Sequence, residues 1–449
     1  MTATASVGLI AVFAVDALNL FYISRLGVAE LAAAVGFAGT LMFFTTSISI
    51  GLTIAVSALV ARALGRGERK SAAAIAGAAM ALTLIASSLV AMVTFPFLRP
   101  LLALLGATGV TLDLATSFMQ IVHASSPVLA VGMAASGVLR GVGDARRAMY
   151  VTLGAAFAAA LLDPLLIFVL DLRLTGAAVA TVVSRLVLLA IGFHGVVRVH
   201  GLLARPDRSA FLARSRPFFA IAAPAILTQI ATPVGNAWIT RAIAVYGDEA
   251  VAGWAVIGRL VPVAFGALFA LSGAVGPIIG QNAGAGLTGR LRETMTASLK
   301  FIMIYVAVVW AALALFAPQI AGLFGASGAA ERLIVFFCVW AAGSFVFNGA
   351  LFVANAAFNN LGFATLSTLF NWGRSTLGTI PFVWAGGMIA GAEGVLAGWG
   401  LGAVVFGVGA IVVALRKIDS VAGGPPDGKP AAPPTAHSPF TSGKGATAS

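Results

Sequence analysis

Ala58-Leu59-Val60-Ala61-Arg62-Ala63-Leu64-Gly65 resembles Pro277-Ile278-Ile279-Gly280-Gln281-Asn282-Ala283-Gly284, and Leu139-Arg140-Gly141-Val142-Gly143 resembles Phe358-Asn359-Asn360-Leu361-Gly362. Both pairs are separated by 219 residues. Gly27 and Gly247, each following the first helix of its half, lie 220 apart. One such match means little in a chain with 52 glycines, but a shared offset points to a duplicated chain.

Composition says what is duplicated. Of 449 residues, 60% are hydrophobic and 9% charged, with a mean hydropathy of +1.02. Soluble domains carry roughly a quarter charged residues, so this is an integral membrane protein. Apolar runs bounded by Gly, Pro and basic clusters predict spanning helices near 5–23, 31–60, 71–95, 114–138, 148–170 and 176–197. Six more fall near 217–245, 250–280, 296–317, 331–357, 364–388 and 394–415. The expected fold is therefore all-α, with twelve transmembrane helices in two pseudo-symmetric six-helix lobes. These lobes are residues 1–197 and 217–417, joined by a basic linker at 198–216. Residues 418–449, rich in Pro, Gly, Ser, Thr and Ala, cannot bury enough apolar surface to fold and are expected to form a disordered tail.

Alternate loops hold seventeen basic residues, among them Arg62, Arg66, Arg69, Lys70, Arg140, Arg198, Arg205, Arg290 and Arg416. The opposite loops hold four: Arg25, Arg99, Arg173 and Arg332. Loops rich in Lys and Arg resist translocation, so both termini are expected in the cytoplasm of a bacterial-type inner membrane. Each half keeps its basic loops on the same side, so the repeats run parallel about an axis along the membrane normal. The net charge of +12 follows from these retained loops and does not imply nucleic acid.

The opening stretch has no basic n-region and runs through Asp16 into Phe21-Tyr22, which reads as a first span instead of a cleavable signal. A single cysteine, Cys338, excludes an internal disulfide or a Cys-based metal cluster, and four scattered histidines give no metal spacing. With no nucleophile elbow or phosphate loop either, the chain does not read as an enzyme.

Two carboxylates, Asp16 and Asp163, sit inside apolar runs. An acidic residue in hydrocarbon is costly and usually serves an ion or proton pathway. Polar contact between helices is the plainer alternative. Arg185, four residues after Thr181 and so on the same helix face, is placed to reach Asp163. Arg241, Arg259 and Arg374 lie within second-lobe helices and either line a cleft, favouring anionic or amphipathic compounds, or extend to an interface. Phe37, Gln229, Asn236, Trp238, Arg259, Asn355 and Arg374 are the candidate substrate contacts. His123, near Pro127, reads as a packed, hydrogen-bonded histidine.

Ala135-Ser136-Gly137-Val138-Leu139-Arg140-Gly141-Val142-Gly143-Asp144, followed by Leu162-Asp163-Pro164-Leu165, resembles the fourth-to-fifth helix region of MATE multidrug efflux transporters. The resemblance extends to Val15-Asp16, Arg25-Leu26-Gly27, Leu31-Ala32-Ala33, Val60 to Gly65, and Gly280 to Gly284, covering nearly all twelve helices. It implies two lobes around a central cleft, exchanging an organic, drug-like compound for protons or sodium, with no other cofactor. Sodium-linked members carry acidic residues within the second lobe. Here Asp248, Glu249, Glu331 and Glu393 fall at predicted loop edges, which resembles the DinF-type branch. That branch's coupling site implies Asp16, Asp163 and Thr181, with Arg185 beside it. Its asparagine is Ala159 here, and the proline that usually precedes its first Asp by about four turns would fall at or before Met1.

The expected function is thus proton-coupled efflux of an amphipathic organic compound by a protein acting as a monomer among membrane lipids. Sodium coupling, and flipping of a lipid-linked saccharide by the same broad superfamily, are the alternatives within transport.

Overall fold

The computed structural model describes Tyr22, residues 29–205 and residues 208–422. The expected first span, Asp16 within it, and the chain beyond 422 lie outside the described residues. The helices are α1 (Ala29–Gly65), α2 (Arg69–Thr94), α3 (Leu98–Leu104), α4 (Gly109–Ala124), α5 (Ser126–Val142), α6 (Ala145–Pro164) and α7 (Arg173–His194). In the second half follow α8 (Arg208–Ala244), α9 (Asp248–Gly284), α10 (Thr288–Leu315), α11 (Ala317–Leu323), α12 (Gly328–Val339), α13 (Phe345–Leu361), α14 (Ala364–Ser375) and α15 (Ile380–Ala422). No strand occurs among the described residues.

Nine of these helical stretches are long and apolar enough to cross a bilayer, and α4 with α5, bent by 46° about Ser125, makes a tenth. The last stretch, Ala364–Val421, is itself two spans. Its helix breaks at Ala390 and Gly391, where φ turns positive at the glycine. A straight helix would separate Gly378 from Gly402 by about 36 Å. Instead, a methyl group on Gly402 would overlap the Gly378 carbonyl, and one on Gly394 would overlap that of Gly386. Glycines let the two arms of this hairpin pack backbone to backbone, as small residues do between membrane helices.

The duplication is written in the backbone. Left-handed glycines recur in pairs 219 residues apart: Gly67 and Gly286, Gly106 and Gly325, Gly109 and Gly328, Gly143 and Gly362. Gly143 and Gly362 end α5 and α13 with φ of 97° and 93°, the conformation that closes a helix C-terminus at little cost only for glycine. The fourth and fifth spans of each half are joined at matching positions. Ser136 Oγ donates to the Ala148 carbonyl at 3.4 Å, and Ser367 Oγ donates to the Asn355 carbonyl at 3.3 Å.

Helices overrun the expected spans. α8 begins at Arg208, inside the stretch read as a linker, and α15 continues to Ala422, past the expected start of the tail. Hydropathy marks where hydrocarbon ends, whereas a helix continues into water until a cap or breaker stops it. Hydrophobic cores lie within each half. One second-half cluster gathers Phe265, Phe337, Phe345 and Phe358. One largely first-half cluster, around Leu52, Val138 and Val151, also takes in Phe218, Ile221 and Ala222 of α8.

Candidate functional site

Asp163 lies one residue before the proline that closes α6, and is 1% exposed. Beyond it, Leu165–Val169 form a π turn, a widened helical turn frequent at functional positions. α7 packs closely here: a methyl on Gly176 would lie 2.7 Å from the Leu166 carbonyl. Thr181, half-buried on α7, donates its hydroxyl back to the Ala177 carbonyl at 2.9 Å, leaving its oxygen lone pairs to accept.

Arg185 does not turn to Asp163. Its Nη1 donates to the Val122 carbonyl at 2.7 Å and to Ser125 Oγ at 2.8 Å, at the bend between α4 and α5. Pro127 brings no N–H to that bend, so the last carbonyls of α4 need other donors. The arginine supplies one, which makes it a bolt for the bend. His123 is held in the same place, with Nε2 2.7 Å from Thr94 Oγ1.

Sequence reasoning missed the seam between the halves. Arg62, near the end of α1, donates from Nε to the Asn360 carbonyl at 2.6 Å and from Nη2 to the Asn359 carbonyl at 2.8 Å. Gln281, near the end of α9, donates from Nε2 to the Gly141 carbonyl at 2.7 Å. Arg62 corresponds to Gln281, and Gly141 to Asn360, at the repeat offset. Each half thus reaches across to the C-terminal carbonyls of the other half's fourth span. Gly65 and Gly284, equivalent again, allow the crossing, because a methyl on either would overlap a carbonyl of the opposite half. The repeated motifs already contained these residues, but their pairing across the axis needed coordinates. The seam lies at the end of the molecule that carries Arg66, Arg69 and Arg140.

The remaining candidates separate. Phe37 packs on the cluster of Leu98, Leu102 and Phe118, so it is part of the first-half core. Trp238 is 42% exposed, with the Arg241 guanidinium 5.8 Å from its ring. Arg259 and Asn236 are exposed, and Gln229 is half-buried. Asn355 is buried beside α14, its Oδ1 without a hydrogen-bond partner. Arg374 is 7% exposed and faces α8, where Nη2 lies 3.4 Å from Thr232 Oγ1. Thr232 lies between Gln229 and Asn236 on one face of that helix, so three of the candidates share a neighbourhood. The described carboxylates of the second half lie near helix ends: Glu249 accepts from the Ala329 N–H, Glu393 pairs with Arg332 and Asp419 with Arg292.

The MatE family model matches residues 5–165 and again 224–384, two stretches displaced by the same 219 residues. The chain belongs to the MatE family of membrane transporters; it is not an enzyme. A FAD transporter of Shewanella oneidensis is 30% identical over 422 residues, covering 92% of this chain and 93% of that one. The multidrug export protein MepA of Staphylococcus aureus is 26% identical over 345 residues, 75% of each chain. The crystal structure of the Vibrio cholerae MATE transporter VcmN superimposes with a TM-score of 0.88 at 25% identity, covering 94% of this chain and 96% of that one.

Proposed function

We propose that this transporter exports an amphipathic organic compound in exchange for protons, by alternating access between its two halves. The observation that carries the coupling is Asp163, a carboxylate 1% exposed within a spanning helix and followed by a π turn. Such a group in hydrocarbon is a default proton or ion site. Asp16, Thr181 and the DinF-type arrangement complete this reading. Binding and release of one proton changes the charge between packed helices and so shifts the balance of two arrangements.

The seam supports the second element of the reading. Arg62 and Gln281 join the halves at the basic end, which the charge asymmetry assigns to the cytoplasm. A molecule sealed there opens, if anywhere, to the outside. Breaking three hydrogen bonds at the seam is the cost of the opposite arrangement.

A nucleotide-like substrate is a second reading, favoured by the 30% identity over 92% of the chain to a protein named as a FAD transporter. Protein reconstituted in liposomes and given an imposed pH gradient or an imposed sodium gradient separates the coupling ions. The pH gradient is expected to drive export, and Asp163→Asn to abolish it with the protein still folded. Export driven by sodium alone would reject proton coupling.

A further inference from the structure

Arg374 is a buried cation with little to hold it. Its one hydrogen bond among the described residues is the long contact to Thr232, and its Nε has no partner. No carboxylate pairs with it among the described residues, and the second-half acids with described ion pairs are committed near helix ends. Arg185 in the first half, by contrast, makes two short hydrogen bonds. A buried guanidinium without a counter-charge or full hydrogen bonding is expensive to keep.

Its surroundings are rich in donors. Ser375, next in sequence, faces Gly235 of α8 with its Oγ unpartnered. Asn348 Nδ2 is buried and unpartnered on α13. α13 and α14 follow one another in antiparallel sense, with Ser367 bonded to the Asn355 carbonyl. Seven residues on from Ser367 and seven back from Asn355 bring Arg374 and Asn348 to the same depth. A route also exists. Gln229, Thr232, Asn236 and Thr240 follow at helical spacing along one face of α8, half-buried at Gln229 and Thr232 and exposed at Asn236 and Thr240. The exposed part of this stripe lies toward the end away from the Arg62–Gln281 seam.

We propose that the second half contains an anion site centred on Arg374, with Thr232, Ser375 and Asn348 around it, which takes a phosphate or carboxylate group of the exported compound. A planar guanidinium with adjacent donors fits the paired oxygens of such groups. This assignment rests on the exporter reading and gives its substrate a charge.

Binding to protein in nanodiscs of neutral lipid tests it. The probes are riboflavin phosphate and AMP against riboflavin and adenosine, the same skeletons without the charge. Wild-type protein is expected to prefer at least one phosphate form by about tenfold or more, the strength of a charge-assisted hydrogen bond. Arg374→Gln should remove the preference and Arg374→Lys should restore part of it. If Arg374→Gln does not fold, Thr232→Val should weaken the preference alone. Competition by added phosphatidylglycerol would support the site and assign its anion to a lipid headgroup. No preference in wild-type protein, or a preference that survives Arg374→Gln, would overturn the proposal. Export of the cationic dye ethidium from the same protein in liposomes reads the exporter separately. Dye export without anion preference sinks only the anion site, and anion preference without any export sinks only the exporter reading.

Discussion

Arg62 and Gln281, 219 residues apart, occupy equivalent positions and perform the same act in opposite directions. Each donates to carbonyls at the C-terminal end of the fourth span in the other half. Two copies of one motif therefore make a closed, self-complementary seam, as a two-fold interface does between subunits.

Loss of the Arg62 side chain removes two charge-assisted hydrogen bonds, each contributing about 1.5–3 kcal/mol, whereas Gln281 contributes nearer 1 kcal/mol. Arg62→Ala is expected to shift the arrangement toward opening at the basic end by at least tenfold, and Gln281→Ala by less. Distances between spin labels placed on α1 and α13 would record this; unchanged distributions in both variants would show that the seam is not closed by these bonds.

Gly65 and Gly284 leave no room for a side chain at the crossing of the halves. Gly284→Val should hold the seam apart, lowering turnover while leaving each half folded, and Gly65→Val should behave alike. Normal transport by either variant would mean that the seam never needs to close so tightly.

At the basic end of the first half, Asp144 caps α6. Its Oδ1 accepts from the Arg147 N–H at 3.0 Å, and its Oδ2 accepts from Arg147 Nη1 at 2.5 Å and lies 2.9 Å from His200 Nε2. Burial alone would raise the carboxyl's pKa, but the bonds from Arg147 and His200 outweigh it and hold it below the usual value of 3.8. A folded value below the unfolded one stabilises the protein above about pH 4, and the benefit fades as pH falls below that. Asp144→Asn is therefore expected to lower Tm at pH 7 and to approach the wild-type Tm near pH 3. An equal gap at both pH values would contradict the assigned ionisation.

The hairpin of the last two spans depends on Gly378, Gly386, Gly394 and Gly402. Gly402→Val, in contact with the Gly378 carbonyl, should cost more stability than a valine at Gly266, which has no neighbour within 4 Å. Thermal unfolding in detergent compares them.

Much of this was legible in the sequence. Eleven of the expected spans coincide with helices, because apolar runs of bilayer length permit little else. The 219-residue offset is visible both in Gly143 and Gly362 as letters and in their shared left-handed φ. Helix ends were not legible: α8 and α10 extend into polar sequence that hydropathy assigns to loops. Arg185 was placed on the correct face but given the wrong acceptor, because helical spacing fixes a face and not which neighbour bends toward it. Arg62 counted only as a topological charge, since a contact 298 residues away leaves no local trace.

The central claim is that the carboxylate at Asp163 carries a proton across in exchange for substrate. A pH-sensitive dye sealed inside liposomes, with a substrate gradient as the only driving force, reads it directly. Wild-type protein should move protons opposite to the substrate, Asp163→Glu should retain part of that flux and Asp163→Asn none. Proton movement by Asp163→Asn at the wild-type rate would contradict the account.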